Sequence, residues 1–293
     1  MCEPFSCVVK SDLSIWIGKS IAHHSHSEII HDAGLTAEIS VNQYARVELF
    51  PPNRQYASDV EGWELKLDEK RTPEWWEENL PEIDARVRDA AQKWQNKLRA
   101  LKEWTVEEGE YLIVIGSGAT IIQNGGYLRI FDNSQNTITQ NGGLLYTYDN
   151  SQNTITRNGG DLCTFGNSQN TITQNDGDLG TFDNSQNTIT QNGGLLYTYD
   201  SSQNIITQNG GYLRTFDNAQ NTITQNGGYL NTDNNSQNTI TLNDGYLNTS
   251  NNSQNTITQN GGELCTYINS KNTIIQNGGE LFTCGTSQNK LLC

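Results

Sequence analysis

The sequence predicts a small α+β domain over residues 1–110, followed by a two-sided parallel β-solenoid of about ten 17-residue coils over residues 111–293. Three observations predict it. A unit of the form NSQNTITQNGGYLRTFD recurs from Gly116 through ten full copies without insertion or deletion, and TSQNKLLC follows the last; a fixed short period marks stacked coils. Each unit shares only two large aliphatics, Ile at position 6 (Ile121 to Ile274) and Leu at position 13 (Leu128 to Leu281). Both sit in alternating contexts, T-I-T and Y-L-R-T-F, the period of a strand with one buried face. Finally, all six Trp and all four His precede residue 111, whereas the repeats are built of Asn, Gln, Thr and Gly. With 34% hydrophobic residues and a net charge of −15, composition alone would read as a disordered acidic chain; the order of the residues overrides it.

Each coil is expected to hold two strands. In N-T-I-T-Q the Ile points inward; in x-L-x-T-x the Leu and Thr do. Asn-Gly after the first strand is a turn signal. Gly at position 11 recurs from Gly126 to Gly279, as expected where the backbone is left-handed or closely approached. Asp-Asn or Asn-Asn supplies the second turn. One Ile and one Leu make a thin core, so backbone pairing between stacked coils, with Asn ladders at positions 4 and 9, must supply the rest. Ten spacings give a rod of roughly 45–50 Å.

Outward residues are the candidate binding sites. On one face they form Thr pairs, Thr137 and Thr139, Thr154 and Thr156, Thr171 and Thr173, Thr188 and Thr190, Thr222 and Thr224, Thr239 and Thr241, Thr256 and Thr258. The other face is varied and aromatic, with Tyr146, Tyr148, Tyr197, Tyr199, Tyr212 and Phe216 as its candidates, because Tyr is favoured at interfaces.

The first domain reads as strands PFSCVVK and LSIWIG, then a short helix from about His26 to Ala33 opened by the capping box Ser25–Glu28. Strands Tyr44–Phe50 and Trp63–Asp68 follow. A short helix begins at Thr72-Pro73-Glu74 and a longer one runs from Pro81 to about Trp104, with Ile83, Val87, Ala90, Trp94, Leu98 and Leu101 at helical spacing. Such a domain is placed to cap the first coil, since an open solenoid end is an unpaired sheet edge.

The segments MCEPFSCVV, SHSEIIHDAGL, ARVELFPPN and WELKLDEKRTPEWWE resemble an uncharacterised domain of bacteriophage and prophage proteins, which often precedes short coil repeats. That resemblance implies provenance rather than chemistry. The T-x-T ladder resembles insect-type antifreeze solenoids, and N-T-I-T resembles the repeats of grass ice-binding proteins. Ser134-x5-Gln140 is similar to half of a curlin repeat.

Several chemistries are disfavoured. An acidic chain is a poor binder of nucleic-acid phosphates, and no apolar run is long enough for a membrane span. No basic stretch followed by an apolar core opens the sequence, so no signal peptide is evident and a cytoplasmic location, in a host cell or virion, is expected. Nucleotide loops, G-x-S-x-G and H-E-x-x-H are absent, and no coil breaks the repeat as catalytic residues would; an enzyme is not expected. His23, His24, His26 and His31 with Glu28 and Asp32 raise the question of zinc, but a capped helix start accounts for them, so no metal or cofactor is expected. Cys163 and Cys265 lie six coils apart, too far for a disulfide, which favours a reducing compartment. The expected function is a non-enzymatic binding or assembly module with a protein or glycan partner. The alternative is ice binding by the Thr face, and self-association through the C-terminal coil is a further expectation.

Overall fold

The computed structural model describes residues 5–22, 25–35 and 43–292. Two bodies share one hydrophobic interface. The first is a four-stranded antiparallel sheet of β1 (Phe5–Lys10), β2 (Ile15–Trp16), β3 (Tyr44–Phe50) and β4 (Glu64–Leu67), in the order β2-β1-β3-β4. Helix α1 (His26–Asp32) packs on one face of the sheet, where Ile29 meets Val8 and Tyr44. Helix α2 (Trp76–Arg99) packs on the other through Ile83, Val87, Ala91, Trp94 and Leu98.

The strands fall where alternation places them, and the capping box at Ser25 and Glu28 is formed. The helices differ from expectation in two ways. The two expected helices are one, with Pro81 inside it. It stops at Arg99 rather than near Trp104, because Glu103–Val106 is a strand.

That strand, β5 (Glu103–Val106), opens the second body. It pairs in parallel with Thr120–Gln123, seventeen residues on, and so begins a coil ahead of the first repeat legible in the sequence. Its second half, β6 (Tyr111–Ile115), pairs with Tyr127–Phe131 at an offset of sixteen, Tyr111 against Tyr127. The turn between them carries one extra residue, which hides this coil from a search at a strict period.

From there the stack is regular. Twelve parallel strands of the TITQ type form one sheet and eleven of the YLRT type form the other. Every pairing is in register, Ile155 on Ile172 and Leu162 on Leu179, so identical positions form columns along the axis. The Ile and Leu columns are buried as expected, in a continuous apolar core from Val106 to Ile274.

The interior also holds more polar groups than the sequence suggested. Ser at position 2, Asn at 4, Gln at 8 and Thr at 15 are all buried alongside it. The Asn residues form a ladder: Oδ1 of Asn153 accepts from both the backbone N and Nδ2 of Asn136, at 2.9 and 3.0 Å, and the pattern repeats. Nδ2 of Asn187 also donates across the interior to Oγ1 of Thr164 on the opposite sheet, at 3.0 Å. Gln Nε2 donates to carbonyls at the turn, Gln191 to Gly194 at 3.1 Å and to Tyr212 at 3.0 Å. Buried amides that find partners cost little, and here they tie each coil to the next.

Both turns have a conformational reason. Asp and Asn tolerate the left-handed region, and Asp200 (φ 50), Asn218 (φ 68) and Asn235 (φ 65) occupy it at the inter-unit turn. Gly211 at position 11 has φ +76, and a Cβ there would stand 2.5 Å from the carbonyl oxygen of Gly194 in the coil before. Glycine is demanded twice over, by conformation and by stacking.

The first body lies against the outer face of the first coil. Tyr111, Ile113, Ile115 and Phe131 join its core, while Leu112 and Val114 join that of the solenoid. Strand β6 is therefore buried on both faces, which explains its continuous apolar sequence YLIVI. Ile21 and Leu101 pack against the solenoid core at the same end.

Candidate functional site

The Thr-x-Thr pairs all lie on the outer surface of the 12-stranded sheet. Pairing aligns Thr154 with Thr137 and Thr171, and Thr156 with Thr139 and Thr173, so positions 5 and 7 are two straight columns. Position 5 is exposed from Thr137 to Thr256, with Ile205 as the one non-Thr member at 60% exposure. Position 7 is mostly half-buried beside it. Strand geometry sets a grid of about 4.8 Å between coils and about 6.6 Å along each strand. Each point carries a β-branched side chain, stiff at χ1.

Two columns flank the Thr pairs, and sequence reasoning left out the first. Gln at position 3 is exposed from Gln135 to Gln254. Asn at position 9, expected to form a ladder, does so at the surface: Asn192 Nδ2 donates to Asn175 Oδ1 at 3.0 Å, and the bond recurs from Asn141 to Asn277. The ladder ends on Glu107, whose Oε1 accepts from Asn124 Nδ2 at 3.0 Å, one coil back in register. The face thus reads Gln, Thr, Thr, Asn across its width. Between Thr120 and Gln259 no outward position of it carries a charge; Arg157, the one cation in these strands, is fully buried. Apart from Glu103 on the edge strand β5, the solenoid's acids sit on the other sheet and at the turns.

The aromatic candidates occupy the outer surface of the 11-stranded sheet in three separate columns. Tyr148, Tyr199 and Phe216 are at position 16, Tyr146 and Tyr197 at 14, Tyr212 at 12. The position-16 column is a ring stack. Phe131 and Tyr148 lie 4.8 Å apart at 5°, Phe165 and Phe182 5.0 Å at 11°, Phe182 and Tyr199 4.7 Å at 6°. Phe216 closes it edge-on at 4.0 Å. Tyr212, Tyr229 and Tyr246 stack likewise at 5.1 and 4.8 Å. Arg129 lies over Tyr146, 5.7 Å from the ring centre. Desolvation raises the phenol pKa values of Tyr146 and Tyr199. Inside these stacks both faces of a ring are covered by its neighbours, so what the column offers a ligand is ring edges and hydroxyls.

Of the four histidines, only His26 and His31 are among the described residues, and they do not share a site. His23 and His24 lie outside the described residues, as do Cys2 and Cys293. His31 is 92% exposed, and Glu28 is engaged with Ser25. His26 instead meets Glu48 and Asp68. Cys7, Cys163, Cys265 and Cys284 are unpaired. Among the described residues, no helix is long and apolar enough to cross a membrane.

Fold and surface together define a two-sided parallel β-solenoid with an N-terminal α+β body. No protein-family model, curated protein or solved structure matches the chain.

Proposed function

We propose that the protein is a non-enzymatic binding module of the phage type, whose working surface is the Gln-Thr-Thr-Asn face. One observation carries this reading: in a chain of net charge −15, this face alone combines uniform columns, exposure and freedom from charge over many coils. A neutral, flat, periodic surface suits a partner that is itself neutral and periodic, and the natural match is a glycan polymer or a repetitive protein lattice. The aromatic columns then serve as girders that hold the sheet flat, because their ring faces are already taken.

A second reading is ice binding, favoured by the pairing of a methyl and a hydroxyl at each Thr of the grid. The two separate cleanly. We predict that the full chain co-sediments with an insoluble neutral polysaccharide such as chitin or cellulose. Thr188→Lys with Thr222→Lys abolishes retention, and Tyr197→Lys leaves it. Thermal hysteresis or recrystallisation inhibition that disappears in the same Thr variants decides for ice. Retention that follows Tyr197 and ignores the Thr variants would overturn both.

A further inference from the structure

We propose that His26, Glu48 and Asp68 form a divalent transition-metal site, for which zinc is the fitting ion. The residues come from three elements that the fold brings to one face of the antiparallel sheet. His26 is the first residue of α1, Glu48 lies on β3, and Asp68 follows β4. Packing of Ile29 on Val8 and Tyr44 sets α1 against that face, and the capping box fixes where the helix begins. One ligand atom from each residue lies within 4.8 Å of the others.

The imidazole determines what belongs there. Its Nε2 stands 3.2 Å from the carbonyl oxygen of Val47. A carbonyl only accepts, so Nε2 carries a hydrogen and donates it. The neutral ring then turns a lone pair at Nδ1 toward Asp68 Oδ2, also 3.2 Å away. Two lone pairs facing each other at that distance repel unless a positive centre lies between them, either a second proton or a cation. Arg46 does not supply it, because Glu69 takes its guanidinium at 3.0 and 3.2 Å. Glu48 adds a second carboxylate to the same spot and has no hydrogen bond or ion pair among the described residues. A proton satisfies one carboxylate, whereas a dication satisfies both.

Geometry agrees with the cation. Zinc bound at about 2.0–2.2 Å to nitrogen and oxygen in a tetrahedron separates its ligands by about 3.3–3.6 Å, a range whose short end is close to the observed 3.2 Å between Nδ1 and Oδ2. A ring N–H donated to a backbone carbonyl is the usual support behind a metal-bound histidine. One nitrogen with two carboxylates suits zinc better than calcium or magnesium, which prefer all-oxygen shells. Three protein ligands leave the fourth position to water. The site would pin the start of α1 to the far strands of its sheet.

The full chain, stripped with a chelator, is titrated with Zn²⁺ by calorimetry and with Co²⁺ by visible spectroscopy. The expected result is one equivalent bound, with the intense Co²⁺ bands of four-coordination. His26→Gln and Asp68→Asn each weaken binding at least tenfold. Asp68 is half-exposed, with a side chain 49% accessible, so its variant keeps the fold even if that of His26 does not. His31→Gln, on the same helix but 92% exposed and outside the cluster, leaves the affinity unchanged. No saturable binding in large Zn²⁺ excess, a six-coordinate Co²⁺ spectrum, or binding that survives Asp68→Asn and Glu48→Gln would overturn the proposal and leave His26 and Asp68 a simple ion pair.

Discussion

Arg157 is the residue that departs most from its column. Its neighbours at position 8 include Gln140 and Gln174, and like them it is fully buried. Nε donates to Gln140 Oε1 at 2.9 Å, and Nη2 donates to the carbonyls of Gly160 and Asp178 at 2.6 and 2.8 Å. It thus reproduces the Gln bonds with a cation. Burial pulls its pKa down to about 10, against the attraction of Asp161, Asp178 and Asp176. The sign follows: the folded chain resists holding this charge. The penalty is present at every pH below about 10 and fades as pH rises from there toward the ordinary arginine value. We predict that Arg157→Gln is neutral or stabilising by about 1 kcal/mol at neutral pH. Arg157→Ala should cost about 3 kcal/mol or more, because it removes all three of these bonds and opens a cavity in the interior. Denaturant unfolding measures both, and a Gln variant weaker than the Ala variant would refute the account. Gly211→Ala is expected to unfold earlier than either, since its Cβ meets a backbone atom that cannot move without moving a coil.

At the scale of the element, the ring stack is the feature to test. Phe182 lies between Phe165 and Tyr199, and it folds over Gly180, where any side chain would collide with the ring. Each aromatic pair contributes about 0.5–1.5 kcal/mol beyond its buried area. Phe182→Ala should therefore lower the thermal midpoint while leaving binding by the Thr face intact; unaltered stability with lost binding would make the stack a site rather than a girder. What the sequence revealed of these elements follows from their physics. The Ile and Leu columns, the position-11 glycines and the outward Thr pairs were legible because each obeys the rule of apolar inside and polar outside at a strict period. The inward Ser and Gln columns were not, because they break that rule: stacking gives the Gln Nε2 groups carbonyl partners, while Gln191 Oε1 and Ser185 Oγ, like others in their columns, are buried without one. The first coil was hidden by the residue added between β5 and β6, and by Trp104 standing where Ile is expected. His26, Glu48 and Asp68 were invisible as a group because no spacing in sequence links them; sheet pairing of β3 with β4 and the packing of α1 do.

For the whole molecule, stability should be a sum over neighbouring coils, since each touches only the next. The chain also shows where that sum tolerates irregularity. Between β5 and β6 one extra residue sits in a turn, and the strands on either side still pair in register, Trp104 on Ile121 and Leu112 on Leu128. A residue gained or lost inside a strand has no such refuge, because a shift of one exchanges the inner and outer faces. In the TITQ strand of Thr188–Gln191 that would move the buried Gln191 outward and break its bonds to Gly194 and Tyr212. We therefore predict that excising the complete unit 184–200 leaves a shorter, folded rod that melts cooperatively close to the parent, with the Asn ladders rejoined across the cut. Deleting Thr190 alone, a far smaller change, should cost more stability than removing all seventeen residues. Circular dichroism melting of the two variants measures the difference. If the single deletion is the milder one, columns of identical side chains are not what holds the solenoid together, and the uniform face they create loses its structural basis.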